Sequence, residues 1–377
     1  MFKNLHPRKT KNLIGHEKQK EIFIEAFKIN HLHHSWLLEG PAGLGKATFA
    51  YCASRALLTL TKKNGNEILL FNKEENNKIL NFKFDNNNAM HNKISENTHI
   101  DLKVIERDNA DLNPYSNEVI PVSKIREIQD FFSKTSGDGG KRIAIIDCID
   151  NINKFGANAL LKILEEPPNN SIIFVIANNK SNVLDTIRSR CRSLQFSNLS
   201  KADTNTIINN NIAKEITIES LDQLNLLSNG IPGKGILLFQ NKGLEIYNCI
   251  IDIFENINKI SHSKVEDLNS LINSKSNNLE LNVLKELSTI FFNRVYRRYL
   301  NMIEINFSKK EEEVQKTLIN NYTIADISFL WENSYSEINT VLELNLEKKQ
   351  VVINFINNIK KLNPNKSETE KIIHEYR

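Results

Sequence analysis

The stretch LLEGPAGLGKATFAY at residues 37–51 decides the fold. Within it, Gly40 is followed by four residues and then by Gly45 and Lys46, which is the spacing of a phosphate-binding P-loop. The P-loop pattern requires serine or threonine after the lysine, because that hydroxyl holds the magnesium ion of the nucleotide. Ala47 stands there and offers only a methyl group. The stretch therefore predicts a P-loop fold whose own chemistry is impaired.

The residues on either side of the loop support this prediction. HSWLLEG, before the loop, is typical of a short buried strand, and the spacing predicts a helix from about Lys46 to Leu60. A loop between a strand and a helix directs its amides and the positive end of the helix toward an anion. Thr48 is rotated by about 100° from position 47 on a helix, so we do not expect it to replace the missing hydroxyl. The predicted degenerate ATP site consists of Gly40, Gly43, Gly45, Lys46, Ala47, Thr48 and Asp147. ATP binding at this site is predicted to be weak or absent.

The second part of an ATPase site is an acidic pair at the end of an apolar strand. The stretch IAIIDCID supplies Asp147, but Cys148 follows it and Asp150 lies three residues beyond Asp147. A thiol cannot accept the proton of an attacking water as a carboxylate does, so the general base is predicted to be absent. Two interpretations of Cys148 stay open, a small buried apolar group and a reactive thiol. The first is favoured because no basic residue adjoins the cysteine.

The stretch TIRSRCRSLQF contains Arg190, a candidate arginine finger. Arginine suits this role because its planar guanidinium contacts a phosphate at two points. Two other interpretations remain at this stage. Taken alone, an arginine at this position is more often a surface ion-pair residue. The run of Arg188, Arg190 and Arg192 is equally typical of a general basic patch.

Composition and charge narrow the class of protein. The 49 lysines and arginines against 45 aspartates and glutamates give a net charge of +4, too close to balance to predict nucleic-acid binding from charge alone. The four cysteines are far apart and form no C-x-x-C pair, so neither a zinc site nor a disulfide framework is predicted. The start of the chain lacks the apolar core of a signal peptide, and no run of about 18 apolar residues occurs. We expect a cytoplasmic protein without a membrane partner.

The order of the predicted elements indicates an α/β fold followed by an all-α region. RIAIIDC and SIIFVIAN are continuous apolar strands between helical segments, which is typical of a parallel sheet covered on both faces. Residues 61–98 are rich in asparagine and lysine and are predicted to form an irregular insertion. After about residue 199 the strand patterns largely disappear and helical periodicity dominates.

One long segment carries a family resemblance. NKFGANALLKILEEPPNNSIIFVIAN, followed by LDTIRSRC, resembles the bacterial clamp-loader ATPases of the AAA+ class, which share N-A-L-L-K-x-L-E-E-P-P and then S-R-C. NLIGHEKQKEIFIEAFKINHLHHSWLLEGPAGLGKAT is similar to the start of the same family. The resemblance implies an AAA+ P-loop domain at residues 1–198, a small helical lid at 199–256 and a C-terminal helical collar domain for oligomerisation at 257–377.

The resemblance also implies a role in DNA replication and a set of partners. Clamp loaders open a sliding clamp and load it on primed DNA as part of the DNA polymerase III holoenzyme. The expected partners are the γ/τ and δ clamp-loader subunits, the sliding clamp and primer-template DNA, while polymerase activity is not expected of this chain. Lys154 and Lys162 follow Asp150 on a predicted helix and face either DNA or solvent in such an assembly. The zinc cluster usual in the family is missing from the sequence, so no zinc is expected.

The departures from the family pattern fall on the parts that hydrolyse ATP. Ala47 replaces the metal-binding hydroxyl, Cys148 replaces the catalytic glutamate, and Gly233 in NGIPGKG stands where a sensor arginine is expected. Arg190, the group that reaches a neighbour's nucleotide in this family, is retained. The resemblance thus implies a largely non-hydrolysing subunit that supplies Arg190 in trans.

An alternative from another class stays open. The chain is then a self-sufficient AAA+ ATPase of the γ/τ motor type, in which Thr48 and Asp150 replace the missing metal ligand and base. ATP turnover by the purified chain separates the two hypotheses.

Overall fold

The computed structural model describes residues 6–60, 73–84, 89–107, 119–137, 140–212, 216–255, 257, 260–273, 278–302, 305–344 and 346–360. These residues belong to two compact units. The first comprises Met1–Ala213 with Gly230–Lys234, and the second comprises Lys214–Asn229 with Gly235–Arg377. The three predicted domain ranges, with bounds after residues 198 and 256, stay a prediction.

A five-stranded parallel sheet forms the centre of the first unit. Its strands are β1 (Ser35–Glu39), β2 (Leu102–Ile105), β3 (Arg142–Ile146), β4 (Ser171–Ala177) and β5 (Arg192–Gln195). They lie in the order β2-β3-β4-β1-β5, and every neighbouring pair is parallel. All residues of β1, β3 and β4 are buried, as their continuous apolar sequences predict.

Helices cover both faces of this sheet. They are α1 (Glu17–Lys28), α2 (Lys46–Leu60), α3 (Lys73–Leu80), α4 (Ala89–Ser95), α5 (Val122–Ser133), α6 (Lys154–Glu165), α7 (Asp185–Arg188) and α8 (Lys201–Asn211). Alternate residues of β1 contribute to two separate apolar clusters, with Trp36 and Leu38 in one and Leu37 in the other. The predicted α/β fold with a P-loop and a covered parallel sheet is confirmed.

The Asn- and Lys-rich insertion contains more regular structure than the sequence predicted. Residues 61–72 and 85–88 of this prediction lie outside the described residues, but α3 and α4 both form within its bounds. Phe82 and Phe84, just after α3, are buried in the sheet's core, where the Phe82 ring lies 5.4 Å from that of Phe49. The Arg55 guanidinium lies over the Phe84 ring, 5.6 Å from its centroid, and donates to the Thr10 carbonyl at 2.6 Å. Aromatic packing and a buried arginine therefore stabilise the described part of this segment.

The second unit is helical throughout its described residues, as predicted. Its helices are α9 (Ile218–Ser228), α10 (Pro232–Gln240, beginning in the first unit), α11 (Gly243–Glu255), α12 (His262–Ile272), α13 (Leu279–Tyr299), α14 (Lys309–Asn321), α15 (Ile324–Leu344) and α16 (Lys348–Lys360). Aromatic rings join α11 to α13, with Phe254 stacked on Phe291 at 4.9 Å. None of the helices described is long and apolar enough to cross a membrane.

Candidate nucleotide-binding loop and arginine finger

The P-loop joins the carboxyl end of β1 to the start of α2, as predicted. Gly43 and Gly45 have φ angles of 86° and 96°, a region that side chains with a Cβ rarely adopt. Ala47, in the first turn of α2, is half-buried and packs against the core beneath the loop. Thr48 follows it on the same helix. The loop therefore keeps a P-loop path, with a methyl group at the position of the metal-binding hydroxyl.

The ammonium of Lys46 is bound by acceptors of its own chain. Its Nζ donates to the carbonyls of Gly40 at 2.6 Å and Pro41 at 2.7 Å, and to Asn178 Oδ1 at 3.0 Å. Lys46 is only 3% exposed, and this burial lowers its pKa to about 8, although the nearby charge of Asp147 acts in the opposite direction. An ammonium has three N–H donors, and three acceptors lie within hydrogen-bond distance. Little capacity is left for a phosphate.

Two other segments hold the carbonyls of the loop. The backbone N–H of Gly233 donates to the Gly43 carbonyl at 3.0 Å. His16 Nε2 donates to the Leu44 carbonyl at 2.8 Å, and burial lowers the pKa of this imidazole. A Cβ built on Gly43 would come within 3.1 Å of a methyl group of Ile231. Residues 231–234 therefore contact the loop at Gly43, which stays exposed.

The end of β3 presents Asp147 and Cys148 side by side. Cys148 is 8% exposed. Its thiol donates to Asp147 Oδ1 at 3.6 Å and accepts from Asn178 Nδ2 at 3.2 Å. Burial, reinforced by the Asp147 charge, raises the pKa of the thiol to about 12. Burial likewise raises the pKa of Asp147. A protonated, buried thiol is neither a base nor an activated nucleophile, in keeping with the favoured interpretation of Cys148.

Asp150 binds the backbone of the turn that follows β4. Its Oδ2 accepts from the backbone N–H of Asn178 at 2.7 Å, and its Oδ1 accepts from that of Asn179 at 3.0 Å. Both carboxylate oxygens thus bind the turn that follows β4. This pairing disfavours the alternative in which Asp150 serves as the general base.

Arg190 lies in the turn between α7 and β5. Its Nη2 forms an ion pair with Glu165 Oε1 at 2.8 Å, and its Nη1 donates to the Thr186 carbonyl at 2.9 Å. Its own carbonyl accepts from the Ser35 hydroxyl at 2.7 Å, and 36% of its side chain is exposed. Ser35 begins β1, and Arg190 precedes the parallel strand β5, so both lie at the amino edge of the sheet. The P-loop lies at the carboxyl edge.

The other two arginines of this stretch have separate partners. Arg188 forms an ion pair with Asp185 at 2.7 Å, and the Arg192 guanidinium lies 5.0 Å from the centroid of the Trp36 ring. The interpretation of all three as one general basic patch is therefore disfavoured.

The structure brings most of the predicted site together but separates Arg190 from it. Lys46 and Cys148 both contact Asn178, while Arg190 lies at the opposite edge of the sheet. Asn178 was missed by the sequence analysis. Its signal was a polar residue directly after the apolar strand SIIFVIA. Glu165 was also missed, because nothing in the sequence shows that it meets Arg190.

Comparisons with known proteins agree with this fold and these motifs. The family described as DNA polymerase III, delta subunit, matches residues 15–200. A protein of Pseudomonas aeruginosa named DNA polymerase III subunit delta′ is 28% identical over 159 residues, 42% of this chain and 41% of that protein. The protein of the same name in Bacillus subtilis is 26% identical over 176 residues, 47% of this chain and 46% of that protein.

Relatives named as a different subunit of DNA polymerase III also match. DNA polymerase III subunit gamma of Buchnera aphidicola subsp. Schizaphis graminum is 27% identical over 197 residues, 52% of this chain and 47% of that protein. The match spans less than half the length of each of these three relatives. The predicted resemblance to the clamp-loader subunits of DNA polymerase III is confirmed, and the matching relatives include both delta′ and gamma subunits.

Proposed function

We propose that this chain is a δ′ subunit of a DNA polymerase III clamp loader, which opens a sliding clamp and loads it on primed DNA. In this proposal the chain does not hydrolyse ATP and supplies Arg190 to the nucleotide bound by a neighbouring subunit. The observation that carries the proposal is the position of Arg190 at the amino edge of the sheet, away from the chain's own P-loop. A guanidinium placed there serves a phosphate of another chain.

The residues of the P-loop do not fit ATP with its magnesium ion. Ala47 has no oxygen for the metal, and the Lys46 ammonium already binds two carbonyls and an amide. Residues 231–234 contact Gly43, whose carbonyl accepts from the Gly233 N–H. The proposal therefore gives this site no catalytic step, and its retained glycines maintain the path of the loop.

The chemistry of Arg190 in trans is electrostatic. Negative charge develops on the γ-phosphoryl oxygens as ATP is cleaved, and a positioned guanidinium stabilises that charge. The fork of N–H donors on arginine matches two phosphate oxygens, which a lysine ammonium does not. Arg190 is partly exposed, so its guanidinium is accessible to a neighbouring chain.

The proposed partners are the γ/τ and δ subunits, the sliding clamp and, through the assembled complex, primer-template DNA. The helices within residues 257–377 are proposed to join the neighbouring subunits in a collar. Lys154 and Lys162 on α6 are exposed and offer phosphate contacts, for which binding falls as salt rises and base sequence has no effect.

The test is a reconstituted clamp loader carrying Arg190→Ala in this subunit. We expect normal folding and assembly, with lower DNA-stimulated ATP hydrolysis and clamp loading. Arginine fingers contribute on the order of 10³ to 10⁵ in rate, but the loss is smaller here because other motor sites keep their own fingers. Arg190→Lys should restore activity only in part. Arg188→Ala is the matched control, since this partly exposed arginine pairs with Asp185. Full activity of the Arg190→Ala complex would refute the role in trans.

A self-sufficient ATPase of the γ/τ type is the second candidate, because relatives named gamma match and the glycines and lysine of the loop are present. ATP turnover by the purified chain, abolished by Lys46→Ala, would favour it. We expect no such turnover.

A further inference from the structure

The last residue of α6 lies beside the proposed arginine finger. Glu165 Oε1 is 2.8 Å from Arg190 Nη2, and the side chains are 49% and 36% exposed, respectively. The Thr186 carbonyl and the Ser189 hydroxyl accept from Nη1 at 2.9 and 3.3 Å. The guanidinium is therefore held from two sides, by α6 and by its own turn.

The contribution of this ion pair to the free energy of unfolding is small. Exposed pairs contribute little, because solvent screens the charges and ordering two long side chains costs entropy. An arginine side chain has several rotatable bonds and loses substantial rotamer entropy when it is held in one orientation. The larger effect of Glu165 is thus on the orientation of Arg190.

The contacts leave donors for a ligand. A guanidinium has five N–H donors, and the three contacts engage at most three of them. The remaining donors lie in the same rigid guanidinium plane. The Ser35 hydroxyl also holds the backbone carbonyl of Arg190, so both the main chain and the side chain of the finger have fixed positions.

We propose that Glu165 is a positioning residue for Arg190, which holds the guanidinium plane ready for the phosphate of the neighbouring subunit. This inference rests on the proposed function of Arg190 in trans. A group already oriented loses less entropy when it meets the transition state, so the effect of Glu165 falls on kcat. It acts through Arg190 and touches no nucleotide itself.

The experiment measures DNA-stimulated ATP hydrolysis by the reconstituted complex at matched assembly. Glu165→Ala should lower kcat by about 3- to 10-fold, with the KM for ATP nearly unchanged. Glu165→Gln should retain most of the activity, because its amide oxygen still accepts from Nη2. The double variant with Arg190→Ala should be no slower than Arg190→Ala alone. Glu166→Ala, which removes the adjacent exposed carboxylate, is the matched control and should have no effect.

Different outcomes separate the two proposals. If Arg190→Ala lowers the rate and Glu165→Ala does not, the positioning role is wrong and the role of Arg190 stands. A further loss from Glu165→Ala in the Arg190→Ala background also overturns positioning. If Arg190→Ala has no effect, the proposed function in trans fails. In that case the orientation of Arg190 is tested by side-chain NMR of the isolated chain. Guanidinium dynamics that are the same in Glu165→Ala as in the unmodified protein would overturn the positioning role.

Discussion

The backbone N–H of Gly233 donates a hydrogen bond to the carbonyl oxygen of Gly43 at 3.0 Å, so that two glycines bring the start of α10 against the P-loop. A Cβ at position 233 would lie 2.7 Å from Gly43 Cα and 2.9 Å from its carbonyl oxygen. These obstacles are backbone atoms, which cannot rotate away as the end of a side chain does. Gly233 is therefore the residue that permits this close approach, at the position where the family resemblance predicts a sensor arginine.

Gly233→Ala should lower the free energy of unfolding by about 1 to 3 kcal/mol, because the added Cβ forces the two backbones apart. Gly233→Arg should lower it at least as much and should restore no sensor function. Urea unfolding of the variants measures both effects. An unchanged unfolding midpoint for Gly233→Ala would mean that the approach of the two backbones is looser than the structure shows.

Ala47→Thr should not create an ATPase. The new hydroxyl supplies a metal ligand, but Cys148 still stands where a base is needed and the Lys46 ammonium keeps its three acceptors. Labelled ATP titrated into the variant, followed by a turnover assay, checks this expectation. Magnesium-dependent turnover that Lys46→Ala abolishes would contradict it.

His91 should make the first unit less stable in mild acid. His91 lies on α4, which packs against α2, and is 4% exposed. Burial lowers its pKa from 6.5 to about 4, and the charge of Arg55 acts in the same direction. The unfolded chain therefore takes up a proton at this residue near pH 6.5 and the folded chain only near pH 4, so the free energy of unfolding falls as pH drops through this window. The loss amounts to on the order of 1 kcal/mol for the first pH unit. His91→Gln should remove this part of the pH dependence, and equal slopes for the two proteins would contradict the prediction.

A buried ion pair should stabilise the second unit. Arg294 Nε and Nη2 lie 2.8 and 3.0 Å from the two carboxylate oxygens of Glu311, and the Tyr247 hydroxyl donates to the same carboxylate at 2.6 Å. Glu311→Ala leaves the Arg294 charge uncompensated and should cost about 3 to 5 kcal/mol in the free energy of unfolding. Tyr247→Phe removes only the hydroxyl donor and should cost about 1 to 3 kcal/mol. Chemical denaturation of both variants measures the difference, and a smaller loss for Glu311→Ala than for Tyr247→Phe would rule out the pairing as the main stabilising contact.

The local pattern of the sequence determined the P-loop, the buried strands and the change from α/β to all-α. Gly40, Gly45 and Lys46 lie within one short stretch, and continuous apolar runs such as SIIFVIA are long enough to identify strands. These features depend on neighbours in sequence, so no knowledge of the remaining chain was needed. The insertion was predicted less well, because α3 and α4 are short and polar and depend on the aromatic residues that follow α3 for burial.

Only the tertiary structure decided which polar groups meet. Asn178 reaches Lys46 across 132 positions because β4 lies next to β1, and Glu165 reaches Arg190 because α6 ends beside the turn before β5. The sequence showed that Gly233 lacks a side chain, but not that its backbone lies against the P-loop. Such contacts depend on the order of the strands and on differences of a few tenths of an ångström in the separation of two backbones. Neither can be deduced from the spacing of residues along the chain.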